Sequence, residues 1–168
     1  MMRRLPKPQP NVERFQQVLK RVPCDRVPLA ELAIAEETLT ELHGAPLIPP
    51  SHQDGPQRFR EAIRQRIQLW HDLGYDYYRV RAEIPFQVET FAARDTATLA
   101  KGERRWANEH EGVIKSLADF EAYPWPAPSA VGFSAAEAAQ GELPDGMGMM
   151  GFSGGVLEWS SYLLGLGA

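Results

Sequence analysis

Residues 57–84 read QRFREAIRQRIQLWHDLGYDYYRVRAEI, and this stretch decides the fold class. Turned at about 100° per residue, Phe59, Ile63, Ile67, Trp70 and Leu73 fall within one arc, which predicts an amphipathic helix from Gln57 to Leu73. Gly74 supplies the stop, because a glycine accepts the left-handed conformation in which helices commonly end. From Asp76 to Ile84 the chain is rich in tyrosine, valine and isoleucine, residues that suit a pleated strand, and Pro85 closes the run. Helix, glycine turn and strand make half of a parallel α/β repeat.

Working towards the N-terminus, Pro46 to Gly55 is a loop by composition, and Glu36 to Leu42 predicts a short helix stopped at Gly44. Val27-Pro28-Leu29-Ala30 is read as a first strand, its residue before proline held extended. Val12, Phe15, Leu19 and Val22 form one helical stripe, capped by Asn11 and ended by Pro23. The prolines before it make residues 1–10 an extended arm, with residues 11–168 as the folded part.

Towards the C-terminus, Arg104 to Ser116 predicts a hairpin turning near Glu111-Gly112, and Asp119 to Tyr123 a helical turn before Pro124-Trp125-Pro126. Ser134 to Gln140 is alanine-rich and helical, and Pro144-Asp145-Gly146 is a turn. Met147 to Phe152 predicts a third strand, and Val156 to Leu164 a last helix.

The expected class is therefore α/β, with about three parallel strands and an inserted β-hairpin. A complete (β/α)8 barrel takes roughly 250 residues. A chain of 168 residues is too short for that, which leaves a small α/β domain or an incomplete TIM barrel, its N-terminal portion. A three-stranded parallel sheet would leave edge groups unpaired and an apolar face uncovered, so a homo-oligomer or a C-terminal half-barrel partner is expected.

Composition narrows the function classes. One cysteine, Cys24, excludes an internal disulfide framework and a zinc site built from several cysteines. Apolar runs fall well short of the roughly 20 residues that span a bilayer, and the basic start lacks the apolar core of a secretory signal. A cytoplasmic location with no membrane partner is the expectation. A formal charge of −4 gives no electrostatic reason to expect nucleic acid. Gly146 to Gly151 matches G-x-G-x-x-G, but the apolar run lies inside the motif rather than before it, so no dinucleotide site is expected. His43, His52, His71 and His110 have no metal-ligand spacing among themselves and read as solvated residues.

The candidate site residues follow from strand and helix ends. Alternation places Arg79, Arg81 and Glu83 on one side of their strand, as an ion-paired cluster or as the polar lining of a barrel mouth. Glu31, at the end of the first expected strand, is a site carboxylate or a helix-entry carboxylate. Tyr162 shares a helical side with Trp159 and Gly165, for packing or for ligand contact.

Three places resemble the uroporphyrinogen decarboxylase superfamily, which includes the decarboxylase of tetrapyrrole synthesis and cobalamin-linked methyltransferases. Arg14-Phe15 through Asp25-Arg26-Val27-Pro28 is similar to the family's opening helix and its D-R-x-P entry to strand one. Leu73-Gly74-Tyr75-Asp76 through Ala82-Glu83-Ile84 is similar to its second strand, which ends in Ser-Asp-Ile. Gly151-Phe152-Ser153-Gly154, followed by Ser161-Tyr162 and Gly165, resembles its G-F-x-G strand end and the S/T-Y-x-x-x-G helix after it. Trp106 to Pro126 resembles the methyltransferase-like branch.

The resemblance implies a lyase or methyltransferase of barrel fold, represented here by its N-terminal half. It makes Glu83 the catalytic carboxylate and Tyr162 and Phe152 substrate contacts; Glu31 and Arg81 join them as substrate-binding residues from their places at the strand ends. It implies no cofactor held by this chain. Zinc and a corrinoid protein would serve an intact methyltransferase-like relative, whose histidine and cysteine ligands would lie beyond Ala168. The partner is then a small-molecule substrate or the corrinoid protein. Ala33 and Glu37 stand where the decarboxylases carry arginines that pair with a polyanionic substrate, so uroporphyrinogen itself is not the expected substrate. A half-barrel without catalysis, acting as a binding or assembly module, is the competing expectation.

Overall fold

The computed structural model describes residues 7–96 and 102–167, arranged as two units. The first comprises residues 1–82 and 133–152, and the second residues 83–132 and 153–168. Of the arm expected over residues 1–10, residues 1–6 lie outside the described residues.

In the first unit, α1 (Val12–Leu19) begins where the side chain of extended Asn11 accepts a hydrogen bond from the Glu13 amide. It ends earlier than the apolar stripe predicts. Arg21 adopts φ 57°, in the left-handed region, and turns the chain out of the helix before Pro23. α2 (Glu36–His43) closes at Gly44 with φ 76°. α3 (Pro56–Asp72) buries Phe59, Ile63, Ile67 and Trp70, the arc expected from periodicity. Their core partners are Tyr77, Tyr78 and Val80 of β1 (Tyr77–Arg81), Ala138 and Ala139 of α5 (Ser134–Gln140), and Met147.

β1 pairs in parallel with β4 (Gly148–Phe152), in a register that runs from Tyr77 opposite Gly148 to Arg81 opposite Phe152. Gly148 meets a packing need. A β-carbon there would collide with the side chain of Val12, so α1 sits directly over the strand at that point. The Ala82 amide donates to the Phe152 carbonyl at 2.9 Å and closes the ladder. Helices and a parallel pair thus make an α/β unit.

The expected first strand does not form. Pro28 removes a ladder donor, and Val27 and Leu29 are 85% and 45% exposed, so no apolar face is gained by pairing. Among the described residues the parallel sheet has two strands rather than three.

The second unit holds the inserted hairpin, β2 (Thr90–Arg94) antiparallel to β3 (Glu103–Ala107). Its position corrects the expectation of a hairpin over Arg104 to Ser116. Arg104 to Ala107 does form a strand, but its partner lies upstream, and Glu111-Gly112 is not the turn. Instead Asn108 accepts hydrogen bonds from the His110 and Glu111 amides and folds that segment locally. α4 (Leu117–Ala122) and α6 (Val156–Leu164) complete the unit, with the Ile114 amide donating to the Leu163 carbonyl at 2.9 Å. Phe86, Phe120, Trp125 and Trp159 assemble a ring cluster with centroids 4.8 to 6.3 Å apart. They border a pocket of about 400 Å³ with Ile114, Val156 and Leu163. No helix among the described residues is long and apolar enough to cross a membrane.

Candidate functional site at the ends of the parallel strands

Ligands of parallel α/β sheets sit beyond the carboxyl ends of the strands, because there the connecting loops open and side chains converge. In the first unit those ends are Arg81 and Phe152, opposite each other in the register. Alternation along β1 sends Tyr78 and Val80 into the core and places Arg79 and Arg81 together on the other face. The Arg79 guanidinium carbon lies 3.2 Å from the centre of the Phe152 ring, and that of Arg81 5.8 Å from it. Burial pushes the pKa of Arg79 below its usual value, Tyr77 and Glu31 pull it up, and Arg81 adds to the depression.

Glu31 is fixed to the same strand through its backbone. Its amide donates to the Tyr77 hydroxyl at 3.0 Å, and that hydroxyl donates to the Glu31 carbonyl at 3.3 Å. The carboxylate itself is exposed and accepts from the Leu32 amide at 2.9 Å. Arg81, Phe152 and Glu31, three of the expected substrate-binding residues, therefore belong to one unit; Arg81 and Phe152 meet at the end of β1, and Glu31 is held at the hydroxyl of Tyr77, its first residue.

Glu83 and Tyr162 belong to the second unit. The parallel ladder has ended before Glu83, whose backbone exchanges hydrogen bonds with Gly132 in an antiparallel bridge. Alternation therefore governs Arg79 and Arg81 but does not carry through to Glu83. The Glu83 side chain is exposed and lies across Gly132, where a β-carbon would come within 2.9 Å of Oε2. The Tyr162 hydroxyl donates to Glu158 Oε1 at 2.9 Å, and its ring stands edge-on to Trp159 at 5.8 Å.

A charged cluster at the start of β1 was not singled out as a site by residue patterns. Asp76 is fully buried, and its Oδ1 accepts from the Asn11 amide, from Arg14 and from Arg26. Arg14 also pairs with Asp25, and Arg26 donates to the Gly74 carbonyl at 3.3 Å. The Arg14 hydrogen bond holds the Asp25 carboxyl down at about 2. Asp76 Oδ2 has no hydrogen-bond partner among the described residues. The available signal was Arg14 itself, a cation one position from the apolar stripe of α1 that is only 5% exposed.

Among the described residues no group of three or more histidine, cysteine, aspartate or glutamate side chains could hold a metal ion, so zinc finds no fitting donor set there. The arrangement offers two guanidinium groups over an aromatic ring, with Glu31 acting on Arg79 through space, which suits recognition of an anion more than metal chemistry. Compared with known proteins, the chain matches no family model, no curated protein and no solved structure.

Proposed function

We propose that the chain is the front portion of a uroporphyrinogen decarboxylase-like (β/α)8 barrel. In its completed form the barrel acts on a small organic molecule by decarboxylation or by corrinoid-linked methyl transfer. One observation carries the reading. Arg14, Asp25, Arg26 and Asp76, taken from two separate stretches that resemble the family, converge on a single ion-pair network. Motif residues serving as a framework for the entry to the sheet support a shared barrel origin, because that network fixes where β1 starts and hence where its far end lies.

In this reading Glu83, exposed in the chain alone, supplies the carboxylate that stabilises positive charge as a carboxyl group leaves, an electrostatic role that depends on the completed barrel to exclude water. In the first unit, Arg81, Glu31 and Phe152 contact the substrate. Among the described residues two parallel strands pair, few of those a closed barrel holds, and in this reading a partner or a second copy supplies others. A non-catalytic assembly module is the second reading. It is favoured by Val156 and Leu157, which are 86% and 77% exposed on α6 and suit an interface as well as an enzyme surface.

Light scattering across a dilution series, alone and with the polypeptide encoded immediately downstream, tests the barrel. The expected result is association, together with slowed hydrogen exchange at β1 and β4. A chain that stays monomeric, with a melting temperature independent of concentration and β1 and β4 already protected, overturns the reading.

A further inference from the structure

We propose that Arg79 and Arg81, together with the Phe152 ring, form a binding site for the carboxylate of a small organic acid. Both guanidinium groups stand on one face of β1, and both approach the same ring. Stacking engages the flat face of a guanidinium and leaves its N–H edges for in-plane acceptors. Neither guanidinium has a carboxylate within 4.0 Å or donates a hydrogen bond among the described residues. Half-buried Arg79, two residues before the end of β1, thus keeps guanidinium donors without a partner among the described residues while partly removed from water. Donors placed that way bind most strongly when a planar anion continues the plane of the fork.

Glu31 tempers the charge of the pair, since it interacts with Arg79 through space. The three groups together carry one net positive charge, which suits one carboxylate at the fork, with any second carboxylate of a small acid left in solvent, and disfavours a polyanion. Phe152 and the half-buried Met150, opposite Arg79 in the register, give the carbon body of the acid an apolar surface. Inorganic phosphate has no such body. The assignment deepens the barrel reading by naming what its strand ends recognise, and rests on that reading only for the chemistry after binding.

Calorimetric titration of the full chain with glutarate tests it, with glutaramide and inorganic phosphate as parallel probes. Glutarate is expected to bind, and glutaramide and phosphate to bind at least about tenfold more weakly. Arg79→Met and Arg81→Met are each expected to weaken glutarate by about tenfold or more, and Arg79→Lys to weaken it less, since charge remains but the fork is lost. Arg105→Met removes the same charge from exposed β3, where Arg105 pairs with Glu103 at 3.4 Å, and is expected to leave binding unchanged. Arg81 is exposed, so its substitution keeps the test open if Arg79→Met does not fold. Absence of glutarate binding, equal binding of glutaramide, tighter binding of phosphate, or equal loss in Arg105→Met overturns the site. Failure of the barrel reading appears separately, as a monomer that still binds glutarate.

Discussion

Asp76 takes three hydrogen bonds on one carboxylate oxygen and none from described residues on the other, while fully buried. A buried charge in that state depends on its cations. Replacing Arg14 by methionine leaves Arg26 as the remaining cation on Asp76, at 2.9 Å, and exposes the pair's desolvation cost. Arg14→Met is expected to lower unfolding free energy by about 3 kcal/mol, the low end for breaking a buried pair because one partner stays. Urea denaturation measures it, and an unchanged midpoint would mean the network contributes little. Asp25 behaves differently because its side chain is 67% exposed. Its carboxyl titrates near 2 in the folded chain against an ordinary 3.8, so its stabilising contribution is complete above 3.8 and disappears as pH falls through about 2. Asp25→Asn is accordingly expected to lower the melting temperature at neutral pH, with the gap to the parent chain closing as pH approaches 2. A gap that persists in acid would assign the effect to packing.

At the scale of elements, the seam between α1 and β4 is set by Gly148 beneath Val12. Gly148→Ala is expected to destabilise by about 1–3 kcal/mol through overpacking, and Val12→Ala in the same chain to recover part of it. A double-mutant cycle in urea reads the coupling, and strictly additive effects would place the two residues out of contact. The same elements explain what could be read from residues alone. α3 was legible because its buried residues recur with helical period against one core, and β4 because an apolar run ends at a glycine-rich turn. The hairpin was misplaced because every residue of β2 is exposed, so no alternation betrays it. Val27 to Ala30 carried a strand-like composition, yet side-chain hydrogen bonds to Asp76 and Tyr77 hold its neighbours Arg26 and Glu31 instead of a ladder. Of the candidate site, Arg81 and Phe152 were legible as strand ends. The stacking of Arg79 on Phe152 was not, because cross-strand register is invisible until two distant segments pair.

The molecule as a whole leaves large apolar side chains in water in both units: Val27 and Leu32 in one, Val156, Leu157 and Leu166 in the other. If these surfaces are covered by association, the double substitution Val156→Ser and Leu157→Ser reduces the associated fraction in sedimentation velocity. The fold is left intact, because exposed positions away from special features change stability by only about 0.5 kcal/mol. An undiminished associated fraction would locate the interface elsewhere. Substrate choice is also a property of the whole charge distribution. The chain carries −4 overall, and the segment that the barrel reading sets against a polyanion is Glu31-Leu32-Ala33-Ile34-Ala35-Glu36-Glu37. Glu36 is paired to Arg66 at 2.6 Å, so that arginine is already engaged. A small acid brings one carboxylate to Arg79 and Arg81, whereas in the barrel reading a polyanion of tetrapyrrole size would set its other carboxylates against this acidic segment, where like charges repel. Uroporphyrinogen offered to the chain, alone or with a completing partner, is expected to release no carbon dioxide above a protein-free control. Turnover with the partner present would mean that Arg79 and Arg81 do the work of the arginines absent at Ala33 and Glu37, and that the acidic segment lies away from the substrate.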